Sequence, residues 1–385
     1  MKIQEVIMRV YNGQLEWWQA AEILRVSSRT MRRWKDRYAR EGYDGLFDRR
    51  RRQPSPRRVP VEQVRRVLEL YRERYHDFNV KHFHQMLRER HRIGLSYQWV
   101  KSALQTAGLV ARKARRGPHR QRRERRPLPG MMLFVDGSTH CWIPALAPAR
   151  QDLILWIDDA TGRAYDAELV PEEGTLPVMR GLKRIIESRG LFCSLYTDRG
   201  EHFFHTPKAN GPVDKHHLTQ LGRALMQLGI EHIPSYTPQA RGRMERFFGS
   251  WQGRLPQELR LQGIQNLQDA NRYIRKYFLP TSNKLWSHPP REEGSAFVPC
   301  ANADLDSILS LHHERTVAAD NTLCFNRITL QIPPSRSRWS FAKCRVTLCE
   351  HLDSSLSVRF GPHTLGRYQP DGSPLNPQQL HALAA

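Results

Sequence analysis

The chain has 385 residues, with 61 Lys and Arg against 38 Asp and Glu, a formal net charge of +23 at pH 7. So large an excess points to a polyanionic partner, most often nucleic acid; 39% hydrophobic residues argue against a disordered chain. The longest apolar runs, such as Met131–Val135 and Leu153–Ile157, fall far short of the roughly 20 residues of a spanning helix. No single amphipathic helix carries the charge, and Met1-Lys2-Ile3-Gln4-Glu5 lacks the apolar stretch of a signal peptide. A cytoplasmic protein with no membrane partner is expected.

Residues 1–48 read as a small helical unit. Ile3–Tyr11 is amphipathic, Glu16–Leu24 brings Ala20, Ala21, Ile23 and Leu24 to one side, and Arg25-Val26 makes a short turn. Ser27 or Ser28 can cap a basic helix, Arg29–Arg40, that Gly42 ends. That layout is a helix-turn-helix. Trp17, Trp18 and Trp34 read as packing residues, and Arg29, Thr30, Arg32 and Arg33 as the face toward DNA.

Residues 49–60 are Arg/Pro-rich linker. Val61–Tyr75 restarts a helical period, and a second helix-turn-helix spans 61–110: Val80–Arg90, the turn Ile93-Gly94-Leu95, Ser96 as cap and Tyr97–Ala107 as reading helix. It would offer Tyr97, Gln98 and Lys101 to base edges. Residues 111–129 crowd Arg112, Lys113, Arg115, Arg116, Arg120, Arg122, Arg123, Arg125 and Arg126 against Glu124 alone. Such a block repels itself and suits a phosphate backbone without fixed geometry.

From Gly130 to about residue 280 the texture is α/β: strand-like Met131–Val135, Leu153–Ile157 and Tyr165–Leu169, a helix Leu176–Ser188, a strand Phe192–Thr197, a helix His217–Leu228, a short strand Ile230–Pro234 and a long helix Ala240–Leu259. Residues 281–314 read as linker. Over 315–370 short strands Thr322–Phe325, Ile328–Ile332, Cys344–Cys349 and Ser357–Phe360, separated by turns, suggest a small β-barrel, and 371–385 a tail. The six cysteines are far apart, and none forms a Cys-x-x-Cys pair, so they read as buried reduced thiols rather than zinc ligands or a disulfide framework.

Three acids stand out. Asp136 follows an apolar strand, where an acid is tolerated at an exposed end or when it binds something. Asp198 closes a second apolar strand in Tyr196-Thr197-Asp198-Arg199-Gly200, with Gly200 allowing a sharp turn. Glu245 lies early on the long helix among Arg241, Arg243 and Arg246, a setting that suits a phosphate backbone. Carboxylates converging from different elements are what two-metal phosphoryl transfer needs, with the ions about 3.5–4 Å apart.

Val135-Asp136-Gly137, Thr197-Asp198-Arg199-Gly200 and Arg241-Gly242-Arg243-Met244-Glu245-Arg246 resemble the three signatures of the retroviral-integrase-type (DDE) transposase core. Arg254-Leu255-Pro256-Gln257-Glu258-Leu259 and His288-Pro289-Pro290 resemble it as well, and Arg315-Thr316-Val317 with Asp320–Phe325 and Val358-Arg359-Phe360 is similar to the C-terminal barrel of phage-Mu-like transposases. The chain also resembles insertion-sequence transposases of the ISNCY type. The resemblance implies a multidomain protein: all-α helix-turn-helix units, an α/β RNase H-like core with a mixed sheet, and a small all-β barrel. It also implies two Mg²⁺ or Mn²⁺ ions on Asp136, Asp198 and Glu245, strand transfer by a DNA 3′-hydroxyl, double-stranded DNA (element ends and target) as partner, nucleoid association and a homo-oligomer on DNA. One departure is a long interval of 46 residues between Asp198 and Glu245, which Phe203–Lys215 accommodates as a loop.

Neighbouring residues take plainer readings. Asp158 and Asp159, with Thr161-Gly162, read as a hairpin turn; His140, His202 and His205 read as polar surface or as supports for the acids. A catalytically inactive DNA-binding regulator is weighed against the intact acidic triad. An RNase H-like nuclease would not need two helix-turn-helix units.

Overall fold

The computed structural model describes residues 3–47, 58–112, 124–207, 211–214, 216–236, 242–301, 303–334 and 338–375. Two compact units emerge, Met1–Leu70 and Tyr71–Ala385. In the first, α1 (Ile3–Tyr11), α2 (Trp17–Ile23) and α3 (Ser28–Glu41) enclose Val6, Ile7, Val10, Ala20, Ala21 and Met31. Ser27 caps α3 by accepting from the Thr30 amide at 3.3 Å, and Arg25 takes φ +51° in the tight turn before it. Trp17 and Trp34 pack on this core as expected, but Trp18 is 63% exposed. It neighbours Trp17 on a helix, so it faces another way.

Helix α4 (Val61–Glu73) leads to α5 (Val80–His91) and α6 (Tyr97–Thr106). Asn79 and Ser96 cap α5 and α6 through the amides of His82 and Trp99. Tyr71, Tyr75, Phe78 and Phe83 pack edge-on as an aromatic core over Met86, Leu87, Val100 and Leu104, all buried.

The central sheet has the order β3-β2-β1-β4-β5, from β1 (Leu133–His140), β2 (Gln151–Asp158), β3 (Ala164–Val170), β4 (Ser194–Thr197) and β5 (Glu231–Pro234). β1, β2 and β3 form an antiparallel meander, and β4 and β5 add in parallel, so the sheet is mixed. On one face lie α7 (Thr175–Arg189) and α8 (Gln220–Gln227), around Leu133, Val135, Leu182 and Leu225. The other face is covered by α9 (Gly242–Gln252), α10 (Leu255–Leu261), α11 (Leu267–Tyr273) and α12 (Leu279–Trp286), around Phe134, Leu155, Trp251 and Phe278. Alternating side chains along β1 explain the division, because odd and even positions face opposite layers. The β2–β3 turn is as expected: the buried Asp158 accepts from the Thr161 amide and hydroxyl, at 2.8 and 2.6 Å, and from the Gly130 amide.

After a short α13 (Leu305–Ile308), β6 (Leu311–Thr316), β9 (Arg345–Glu350), β10 (Leu356–Phe360) and β11 (His363–Tyr368) form an antiparallel sheet in the order β11-β10-β9-β6. The hairpin β7 (Thr322–Phe325) with β8 (Ile328–Gln331) shares its core through Leu323, Leu330, Val346 and Val358. The expected barrel is thus a four-stranded sheet with a separate two-stranded hairpin.

Other differences have local causes. β1 continues through His140, paired with β2 along its whole length, so Asp136 lies inside a strand rather than after one. The long helix breaks at Gly253-Arg254, where Pro256 opens α10. α12 extends into the expected linker. Only Cys349 is buried among the cysteines; Cys193 and Cys324 are exposed.

Candidate active site and nucleic-acid interface

β1 pairs in parallel with β4, Leu133 opposite Leu195 and Phe134 opposite Tyr196. Continued two residues, that register would set Asp136 level with Asp198, the residue that follows β4. Asp136 is 8% exposed and shares the face of Phe134, which α9 covers. Asp198 leaves the sheet in a tight turn: its Oδ1 accepts from the Gly200 amide at 2.9 Å. The Thr197 hydroxyl donates to the Asp198 carbonyl at 2.8 Å and so accepts from Nε2 of His232 at 3.0 Å. Burial lowers the His232 pKa to about 4, which keeps the ring neutral beneath this turn.

Glu245 sits in the first turn of α9 and is exposed. Met244, Phe248 and Trp251 bury the opposite side of the helix, and Gln252 donates to Ser138 Oγ at 3.1 Å, fastening α9 to β1. Among the described residues no group of three His, Cys, Asp or Glu is placed to hold a metal ion. The structure sets Asp136 within β1, Asp198 directly after β4 and Glu245 in the first turn of α9.

The basic residues divide. Arg29, Arg32 and Arg33 are exposed on α3, with Thr30 held near Ser27 at the start of the helix. Tyr97 and Gln98 are exposed on α6 and Lys101 is half-buried. Arg112 and Arg246 are exposed; Arg115, Arg116 and Arg241 lie outside the described residues. Arg243 differs from expectation. It is largely buried, paired with the carboxylate of buried Asp159 and bonded to the Glu124 carbonyl at 3.1 Å. The Arg126 amide also reaches Asp159, at 2.7 Å, and Arg125 its carbonyl, at 3.0 Å. A buried carboxylate needs such partners, so Asp159 was the sequence signal for an anchor that the charge count alone hides.

Contacts between the second helical segment and the core were not legible in sequence. Asn79 donates to the Gly253 carbonyl at 2.8 Å, Arg254 to Gln85 at 2.8 Å, and Arg260 grips Asp77 through two bonds of 2.7 and 3.0 Å. Glu258 receives the Tyr273 hydroxyl at 2.8 Å and lies 3.1 Å from Nε2 of buried His82. These contacts fasten α5, and α6 packed on it, to α10.

With this geometry in view, comparisons with known proteins are informative. A family profile described as a Helix-turn-helix domain matches residues 4–54, and one described as a Homeodomain-like domain matches 30–104. A Sinorhizobium fredii chain named as transposase y4bF is 29% identical over 94% of this chain and 79% of its own length. The transposase for insertion sequence IS1202 of Streptococcus pneumoniae is 24% identical over 91% of this chain and 82% of its own. The relatives are transposases, and they run nearly the length of the chain. Among solved structures, a chain of the simian T-cell lymphotropic virus intasome complexed with PP2A regulatory subunit B56 gamma covers 74% of this chain and 93% of its own, at 13% identity and a TM-score of 0.34. The HTLV-2 integrase catalytic core domain, solved with magnesium in a dimeric form, covers 38% and 86%, at 16% identity and a TM-score of 0.29.

Proposed function

We propose that this chain is a DNA transposase that binds the ends of a mobile element through its helix-turn-helix segments and cleaves and joins DNA at Asp136, Asp198 and Glu245. The parallel register of β1 and β4 carries this reading, since its continuation by two residues would set level two aspartates 62 positions apart in sequence. Similarity to transposases along most of the chain supports it.

The donor set is all carboxylate, the hard oxygen chemistry that Mg²⁺ and Mn²⁺ favour. Asp136 and Asp198 would hold such ions from the sheet, and Glu245 would join them from α9. When bound, two ions activate an attacking oxygen and stabilise the leaving one. The chain's own part is placement. β1 and the Gly200 turn fix the aspartates, and exposed Arg246, one residue beyond Glu245, draws the phosphate backbone toward them. Arg29, Arg32, Arg33 and Arg112 add attraction for phosphate. Gln98, at the start of α6, is placed for base edges. A homo-oligomer on paired ends is part of the proposal.

Incubating the full chain with element ends, a target plasmid and Mg²⁺ tests it. Asp136→Asn, Asp198→Asn and Glu245→Gln should each reduce cleavage and joining to background while end binding persists. Near-normal strand transfer by any one variant removes that residue from the site.

A further inference from the structure

Two side chains that neither the sequence motifs nor the proposed mechanism uses lie over β1 and over the turn that follows β4. Glu173 follows β3, and its amide donates to Asp152 Oδ2 at 2.8 Å, which fixes its backbone against β2. Its carboxylate lies directly over Gly137, the residue after Asp136, in the space that a Cβ there would fill. The other oxygen, Oε1, lies 3.3 Å from Nε2 of His202. The pair is close in distance but not aligned as a hydrogen bond. The His202 ring rests on Gly200: a Cβ at Gly200 would lie 3.2 Å from its Cε1, 3.4 Å from its Nδ1 and 3.1 Å from Asp198 Oδ1. The Phe203 ring lies tilted beside the His202 ring, centroids 4.0 Å apart, and anchors this loop in the core. Both side chains are about three-quarters buried, at 26% and 23% exposure.

Two strands joined by only a short parallel ladder can shift relative to one another near their ends, where backbone hydrogen bonding stops. Asp136 and Asp198 lie just past the ladder that joins β1 to β4. We infer that Glu173 and His202 form a strut across β1 and β4 that sets the spacing of the two aspartates, making them positioning residues for the metal site. Two glycines are the local requirement. Gly137 admits the Glu173 carboxylate against β1, and Gly200 admits the imidazole beside Asp198. The Glu173 carboxylate lies on the face of β1 opposite Asp136, while the His202 ring stands next to Asp198 at Gly200. Groups that orient metal ligands in this way typically contribute about 10- to 100-fold in metal affinity.

The inference rests on reading Asp136 and Asp198 as metal ligands, and one experiment separates the two. Mn²⁺ binding to the full chain without DNA is measured by isothermal titration calorimetry, with a melting curve for every variant. Asp198→Asn should abolish binding. Glu173→Ala and His202→Ala should each weaken it about tenfold, and the double variant should be little weaker than either, because the two act as one unit. Gly137→Ala should also weaken binding by displacing Glu173, and Gly137→Ala/Glu173→Ala should be no worse than Glu173→Ala alone. If Glu173→Ala and His202→Ala bind Mn²⁺ as the parent does while Asp198→Asn does not, the strut is overturned and the aspartate site stands. If Asp198→Asn binds normally, the site itself is overturned. If Gly137→Ala does not fold, the Glu173 and His202 variants decide.

Discussion

Helices α3 and α6 begin alike, each with a serine, Ser27 or Ser96, accepting from an amide three residues on. They differ in charge and in surroundings. Along Ser28–Glu41 stand six cations, Arg29, Arg32, Arg33, Lys35, Arg37 and Arg40, against Asp36 and Glu41; along Tyr97–Thr106 Lys101 is the sole charge. α3 belongs to a compact unit with its own small apolar core. α6 rests on α5, which Asn79, Gln85, Asp77 and His82 tie to the helices under the central sheet. Under the proposed function, α3 would attract DNA by charge, and α6 would be held at a fixed place relative to the aspartates. An end bound by both would gain affinity from the first and register from the second.

The tie between α5 and α10 is the place to break that contrast. Replacing Glu258 by Ala leaves Tyr273 without its acceptor and buried His82 without its carboxylate neighbour. A loss of about 3 kcal/mol is expected, visible in thermal unfolding of the core and in faster hydrogen exchange in α5 and α6. Exchange in α1–α3 should be unchanged; equal acceleration there would erase the distinction between the two segments.

Acid should separate the units next. Residues 3–47 contain no histidine. The larger unit holds several with lowered pKa values: His232 at about 4 through burial, and His82, His140 and His312 also lowered first by burial. As pH falls below about 6.5 the unfolded chain takes up these protons before the folded one does. Stability from the buried neutral rings is therefore complete above pH 6.5 and declines toward pH 4. Allowing for partial exposure, His232 alone accounts for about 2 kcal/mol. His232→Gln should flatten the profile of the larger unit between those limits. A profile that keeps its slope in this variant would assign the acid sensitivity elsewhere.

Much of this organisation was legible because the informative residues are local. Ser27 and Ser96 announce helix starts, Gly42 marks a helix end, and Asp158 with Thr161-Gly162 marks a hairpin. The acids stood out because a carboxylate beside an apolar run needs a reason. What escaped depends on contacts far apart in sequence or on patterns that polarity masks. β6, Leu-His-His-Glu-Arg-Thr, and β11, His-Thr-Leu-Gly-Arg-Tyr, are strands whose polar residues hide their alternation. Arg243 sat in a motif that suggested DNA, yet Asp159, 84 residues earlier, holds it. Glu173 and His202 carry no motif, and only the sheet brings them together.

Sequence discrimination probes the contrast more finely. Arg33→Ala removes a cation from the charged helix, so it should lower the salt slope of end binding by up to about 0.9 while weakening many sequences together. Gln98→Ala should leave the slope unchanged and cost about 1–2 kcal/mol at one or two base pairs, most sharply when the side chain meets an adenine. Footprints and salt titrations of both variants check this. If the two behave alike, charge and fixed register are not divided between the helices as described.

The smallest effect comes from the caps. Ser27→Ala and Ser96→Ala each remove a side-chain acceptor from a helix N-terminus, at a cost of about 1 kcal/mol. The same local loss should have different consequences. The α3 unit is small, and its core is six buried residues with a rim of partly buried ones, so 1 kcal/mol is a large share of its stability. Ser27→Ala should raise hydrogen exchange throughout α1–α3 and weaken end binding generally. Around Ser96 the aromatic core of Tyr71, Tyr75 and Phe83 and the contacts to α10 hold the segment in place. Ser96→Ala should therefore fray only the first turn of α6, where Tyr97 and Gln98 stand, and blur base preference while leaving overall affinity nearly intact. Exchange measured residue by residue distinguishes the two: fraying confined to one turn in both variants would mean that the first unit is as firmly held as the second.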